Sequence, residues 1–310
     1  MLIFKKQPFF LFFVNDNLLI EKQNITALAN LLDDPDQIIY DEIKKKLIEI
    51  GPSCVPYLEK IIFENTLGDV FKSRANELIN HINLNQFLVN HRYWLKNPFN
   101  LIDGVMDIDQ FFFPNVTRNY IEHEINEMVK DIKSDINNSM NPIEKVKVIN
   151  DVIFDVYKVF GDKKDYHNPE NSSFGSLIKN KKGNPLTISI LYVEVARKLG
   201  IPIKGINLPN HFIVGYLKNE KLNFHLSINQ YVKDDIMFYI NPFSKGVILR
   251  HSDIENFIKE INITYKHYYF VPCKFRDITK RILTNLTYSY RNSKNKKIIS
   301  DLKKILALYD

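Results

Sequence analysis

Apolar residues recur at helical spacing along most of this chain and shift to a spacing of two only after Pro202. Ile39, Ile43, Leu47 and Ile50 fall on one helical face, between the turn Asp33-Asp34-Pro35-Asp36 and the stop Gly51-Pro52. That arrangement predicts an amphipathic helix, and a second is expected near Val55 to Phe63. One such pair cannot bury its own apolar face and must pack on neighbouring helices. The helical pattern continues from about Leu67 to Leu95 and breaks at Asn97-Pro98 and Asp103-Gly104, which marks a place for a module boundary. Two longer stripes follow: Ile121, Ile125, Met128, Ile132 and Ile136, then Val146, Ile149, Ile153, Val156 and Phe160. The second opens on Asn141-Pro142 with Glu144 in capping-box register and stops at Gly161. Both stripes read as core.

The stretch from Lys182 to Pro202 organises the rest. Asn184 is a good N-cap, and Pro185 follows at the first helical position, where no N–H is missed. Gly200 stands where a helix end favours a left-handed residue, and Pro202 blocks continuation. Leu186, Ile188, Ile190, Leu191, Val193, Val195, Ala196 and Leu199 cover more than one face, so this helix is expected to be buried on several sides. Beyond it, Ile203 to Ile206, His211 to Leu217, Leu222 to Ile228 and Ile236 to Ile240 read as short strands, with Lys218-Asn219-Glu220-Lys221 as a hairpin turn. A short helix is expected over Asp253 to Ile261, and the tail from Phe275 to Asp310 is helical again. The fold class is α+β, with an antiparallel sheet following a buried helix.

Composition changes this picture little. The 310 residues suffice for two or three modules around at least one sizeable core. The net charge of +6 comes from scattered lysines, which read as solvated surface; a nucleic-acid role is the weaker alternative because it needs a clustered stripe. Cys54 and Cys273 form no CxxC pair, so neither a disulfide framework nor a zinc site is expected, and a reducing cytoplasm fits. Cys54, in the Gly-Pro turn, reads as a small packed residue. The run Phe9-Phe10-Leu11-Phe12-Phe13-Val14 is short for a signal peptide and is followed by Asn15-Asp16-Asn17, so an ordered strand or helix start is expected there. No stretch approaches the length of a membrane span. His167 with His211 lacks a third ligand, so no metal is expected, and no cofactor motif is present.

A buried helix followed by antiparallel strands carrying a His is the layout of transglutaminase-like and papain-like thiol enzymes. The runs Asn171-Ser172, Lys182-Gly183-Asn184-Pro185-Leu186, Ala196-Arg197-Lys198-Leu199-Gly200-Ile201-Pro202, Gly205-Ile206-Asn207-Leu208-Pro209-Asn210-His211-Phe212 and Ile240-Asn241-Pro242-Phe243 carry a narrower likeness. By these residues the chain resembles the SirB-one family of bacterial proteins, a transglutaminase-like domain with a tetratricopeptide-like tail. The N-terminal helix pair resembles a HEAT-type unit. The resemblance implies three modules: 1–95 helical and HEAT-like, 96–270 transglutaminase-like, and 271–310 a short tetratricopeptide-like tail.

The resemblance also assigns a site. In active transglutaminase-like enzymes the nucleophilic Cys lies about fifteen residues before the Gly of the Gly-Ile-Pro turn, at the helix start. Here that position is Pro185, which has no thiol. His211 matches the catalytic His, and Asn241 matches an acidic residue; an Asn can orient an imidazole but cannot offset its positive charge. Asn171, Ser172, Asn184, Asn210 and His211 are the candidate binding residues, with caps and turns as the alternative use of the four polar loop residues. Three functions stay open: a non-catalytic module binding a protein or peptide, a hydrolase using His211 with another nucleophile such as Thr187 or Ser189, and a basic nucleic-acid-associated protein.

Overall fold

The computed structural model describes residues 24–64, 68–218, 231–291 and 295–310. The apolar run at Phe9 to Val14, the strand expected at Leu222 to Ile228 and most of the turn at Lys218 to Lys221 lie outside these residues. The chain divides into two compact units, Met1–Val89 and Asn90–Asp310.

In the first unit, residues 24–30 are helical, α1 spans Gln37–Ile50 and α2 spans Val55–Glu64. Asp36 caps α1 by accepting from the Ile38 N–H at 2.8 Å. Of the expected α1 face, Ile43 and Leu47 are buried, but Ile39 is exposed and Tyr40 takes its place; they join one core with Leu32, Leu58, Phe71 and Leu78. Cys54 is buried in that core, its thiol donating to the carbonyls of Gly51 and Leu47, and burial raises its pKa. α3 spans Asp69–Lys96, and the division between the units falls within it.

The second unit opens with α4 (Leu101–Phe112) and α5 (Arg118–Asp135). The break expected at Asp103-Gly104 is absent. Both residues lie inside α4, and Gly104 serves packing, since a Cβ there would sit 2.5 Å from the Trp94 ring. α6 spans Pro142–Asn150 behind the expected Asn141/Glu144 capping box. It then widens into a π-helical turn over Asp151–Val156. The helix ends with this turn, short of the expected stop at Gly161; Val156 is 63% exposed, Phe160 lies beyond the helix and is 50% exposed, and neither belongs to the core. Phe160–Gly161 (β1) pairs in parallel with Lys182–Gly183 (β2).

α7 spans Phe174–Asn180 and α8 spans Pro185–Lys198. Every α8 residue from Pro185 to Ala196 is buried, as its all-round apolar pattern predicts. Gly200 ends it in the left-handed region at φ +74°. Four antiparallel strands follow in the order β3 (Ile203–Leu208), β4 (His211–Leu217), β5 (Ile236–Asn241) and β6 (Val247–Leu249). α8 packs on β3 and β4. Ile206, Ile213 and Ile236 join a second cluster with Ile254 and Ile258 of α9 (His251–Glu260). Covered on both faces, β4 is buried from Phe212 to Leu217, which explains its nearly unbroken apolar run. α10 (Phe275–Tyr290) and α11 (Lys296–Leu306) close the chain as a packed pair. The buried His91 Nε2 lies 2.6 Å from Tyr309 Oη, and because that hydroxyl donates its one proton to Thr279 Oγ1 the imidazole is the donor, so the end of α3, α10 and the last turn share one polar chain.

One long-range contact holds the approach to α8. Asp109 of α4 is 3% exposed and accepts from Ser173 Oγ and from the backbone N–H groups of Phe174 and Gly175, capping α7 from a distance. Burial lifts its carboxyl to about 6 against the pull of those donors. A native pKa above the unfolded value means that the folded state holds the proton more tightly. The stability from this group is therefore complete below pH ~4 and is lost as pH rises through about 6. Asp109→Asn cannot ionise. In urea denaturation, the advantage of wild type over Asp109→Asn is expected to be largest near the acid end and to shrink toward neutrality. A flat difference over that range would contradict the assignment.

Candidate functional site

The N-terminal end of α8 carries the most connected polar web of the second unit. Asn184 Oδ1 accepts from the N–H groups of Leu186 (2.9 Å) and Thr187 (3.0 Å), while its own N–H donates to Thr187 Oγ1 at 3.1 Å. This is the cap the sequence predicts, completed from both sides. Asn184 Nδ2 donates to Ser172 Oγ at 3.1 Å, and Thr187 Oγ1 donates to the Asn171 carbonyl at 2.9 Å. Asn171 Nδ2 in turn holds the Asp165 carbonyl at 2.7 Å and Asp162 at 3.4 Å. The Lys182 ammonium and the backbone N–H groups of Lys164 and Asp165 also face Asp162. The Asp165 N–H is the first cause that keeps the Asp162 carboxyl below its usual range. The loop from Asp162 to Ser173 is thereby tied to the helix that follows it.

The hairpin β3–β4 delivers the His. Leu208 pairs with His211, leaving Pro209 and Asn210 as a two-residue turn, with Asn210 at φ +57°. His211 Nε2 lies 3.2 Å from Asn241 Oδ1 on β5. An amide oxygen only accepts, so Nε2 carries the proton and Nδ1 is left as acceptor. Burial pushes the imidazole pKa down, the Asn241 bond partly opposes this, and the Arg281 charge lowers it further. Phe243 and Phe257 flank the ring at centroid distances of 6.3 and 6.4 Å.

A cavity of about 580 Å³ opens between these elements. Ser172, Asn184, Pro185, Asn210 and His211 stand on its wall. Asn171 does not: it is 1% exposed and braces the loop from beneath. Asn241 is likewise off the wall and touches it only through His211. Thr187 and Ser189 are fully buried, with their hydroxyls bonded to the Asn171 and Phe212 carbonyls, so neither presents a nucleophile to the cavity. His167 stands on the wall against Tyr288 at 4.8 Å. Among the described residues no three His, Cys, Asp or Glu side chains gather as a metal cluster.

Part of the wall comes from a helix that reads in sequence as mere tail. Arg281, Asn285 and Tyr288 of α10 all line the cavity. They are spaced i, i+4, i+7 on the flank of the buried stripe Ile278, Ile282, Leu283 and Leu286. That spacing is the one signal by which sequence could have found them. Tyr166 completes the rim and packs edge-on to Phe243.

The profile of the transglutaminase-like superfamily matches residues 119–284. The chain belongs to that superfamily. The matched span runs from α5 into α10 and includes Asn184, Pro185, His211, Asn241 and Arg281. A UPF0162 protein of Xylella fastidiosa (strain 9a5c) is 26% identical over 197 residues, 62% of this chain and 62% of that protein. F-box only protein 21 of Mus musculus is 25% identical over 241 residues, 70% of this chain and 37% of that protein. The chain therefore spans less than two thirds of either relative. No solved structure matches it. The matched span contains α8 and β3–β6, and Ser172, Asn184, Pro185, Asn210 and His211 meet at the cavity beside the start of α8.

The geometry predicts the titration of His211. Its midpoint, followed by imidazole NMR, is expected below 6.5, and Asn241→Asp is expected to raise it by placing a carboxylate beside Nε2. A wild-type midpoint above that value, or no upward move in the variant, would contradict the pairing.

Proposed function

We propose that the chain is a non-catalytic transglutaminase-like protein of the SirB-one branch, and that its cavity binds a peptide segment of a protein partner. The observation that carries this reading is Pro185. It lines the same cavity as His211 at the start of α8, and the resemblance makes this the position of the nucleophile in thiol enzymes of this layout. Neither cysteine replaces it. Cys54 is buried in the core of the first unit, and Cys273 lines a separate cavity, where burial pushes its thiol pKa far up. Asn241 in place of an acid supports the same conclusion, since it orients the imidazole without stabilising its charged form. The inward hydroxyls of Thr187 and Ser189 speak against the hydrolytic alternative. Relatives named UPF0162 protein and F-box only protein 21 are in keeping with an interaction module.

The rest of the reading follows. The modules are 1–95, 96–270 and 271–310, with a HEAT-like start and a tetratricopeptide-like end. The protein works in the cytoplasm without cofactor or metal. No helix among the described residues is long and apolar enough to cross a membrane, and both cysteines are free thiols.

Pro185→Cys tests the site assignment. The new thiol would lie in the first turn of α8, where the helix dipole favours a thiolate. Site-resolved alkylation by iodoacetamide at neutral pH is expected to be faster there than at Cys54 or Cys273, while wild type incorporates no amine into glutamine substrates. A peptide-array overlay is expected to show spots bound by wild type and lost with His211→Ala. Equal alkylation rates would sink the site geometry. Amine incorporation that depends on Cys54 or Cys273 would sink the non-catalytic reading, and identical array patterns the peptide reading.

A further inference from the structure

We infer that the cavity receives a carboxylate of its peptide ligand, held by the Nε/Nη2 edge of Arg281. The inference rests on the peptide-binding reading above and names the group that enters.

Arg281 is half-buried in the cavity wall. Its Nη1 donates to Asn207 Oδ1 at 3.0 Å and to the Leu208 carbonyl at 3.2 Å, both on β3. These contacts lock the guanidinium plane against the strand that leads into the Pro209-Asn210 turn. Its remaining donors, Nε–H and the two N–H groups of Nη2, have no partner among the described residues. They form one edge of the fork, and that edge presents two parallel N–H vectors, the geometry a carboxylate accepts in bidentate fashion.

The charge of Arg281 is also unmatched. The ionisable groups that act on it most are the neutral Tyr166 and Cys273, and burial, the leading effect, lowers its pKa. A guanidinium nevertheless stays charged at any working pH. Partial removal from water makes a counter-ion at that edge favourable. No Asp or Glu lines the cavity. A partly buried cation with an unbonded edge, in a cavity wall that carries no acid, favours an anion there.

The same wall selects which anion. A phosphate dianion asks for further cationic donors, but burial holds His211 neutral and His167 is exposed to water. One preorganised fork suits a monoanion. The volume of about 580 Å³ is that of a site for several residues or a drug-sized molecule, larger than a lone ion needs. Asn285, Ser289 and Asn210 offer amide and hydroxyl groups to a peptide backbone, and Tyr166 and Tyr288, 40% and 44% exposed, offer ring faces to a side chain.

The test uses the full chain and a panel of N-acetyl tripeptides, Ala-Ala-Xaa with Xaa as Leu, Phe, Ser or Gln, each as free acid and as C-terminal amide. Amidated peptides with an internal Asp separate a side-chain carboxylate from a chain end, and either supports the inference. Acetate and inorganic phosphate are the small-anion arms. NMR follows the Arg281 Nε–H and the His211 ring. The free acids are expected to move the Arg281 signal saturably and to bind ~10-fold or more tightly than the amides, the scale of one charge-assisted pair. Arg281→Lys, which keeps the charge but loses the fork, is expected to abolish that preference at an unchanged melting temperature. If the variant does not fold, the acid-to-amide ratio on wild type decides alone. Acids and amides binding alike would overturn the carboxylate inference while leaving the peptide reading intact. Phosphate moving the Arg281 signal at lower concentration than any peptide acid would also overturn it. Acetate binding as tightly as the peptide acids would overturn the peptide reading and leave a bare carboxylate site. No movement of Arg281 with any probe would overturn the inference outright.

Discussion

The second unit is built around a helix that is buried from its first residue and exposed only at its last turn. From Pro185 to Ala196 no residue of α8 is more than marginally exposed, so water cannot satisfy the N–H groups at its start. Leaving such donors unpaired costs roughly 1–3 kcal/mol each. Pro185 removes one donor by its chemistry, and Asn184 takes two more with a single oxygen. Asn184 can do this only because Ser172 and the Asn171 carbonyl fix its neighbourhood, and these depend on the loop that Asp162 holds together. The need to cap one buried helix thus propagates through a dozen residues of loop.

The far end of this dependence reaches the site. Tyr192 of α8 donates to Asn150 Oδ1 at 2.9 Å, and Asn150 Nδ2 donates to the Gly246 carbonyl at 3.1 Å. The Gly246 N–H returns to the Asn241 carbonyl at 2.9 Å, so the turn after β5 is anchored on the hub helix. Asn241 in turn holds His211. The imidazole is therefore oriented from the same helix whose N-terminal end faces it across the cavity. The first residue of that helix on the cavity wall is Pro185. The scaffold needs the cap and the packing whether or not chemistry occurs at the first turn.

The cavity belongs to no single segment. The loop with Tyr166 and Ser172, the start of α8, the β3–β4 turn and α10 each contribute a part. Arg281 joins two of them, bonding β3 from α10. Its Nε/Nη2 edge makes no hydrogen bond to the described residues.

Sequence alone determined the elements whose cause is local. Asn184-Pro185 and Gly200-Ile201-Pro202 bounded α8 because caps and stops act within a turn. The change to period two after Pro202 announced the sheet, because strand faces alternate whatever lies beyond them. Pro185, His211 and Asn241 could be named together through resemblance. Tertiary structure decided the rest. Asp103-Gly104 read as a break because glycine usually ends a helix, yet there it admits the Trp94 ring. The stripe through Val156 and Phe160 failed because the helix ends in a π turn at an exposed Val156 and Phe160 lies beyond it. Asn171 was placed beneath the wall rather than on it. Arg281, Asn285 and Tyr288 remained hidden because a polar residue on a helix flank looks the same in sequence whether it faces water or a cavity. Only the docking of α10 beside β3 gives those three side chains a cavity to line.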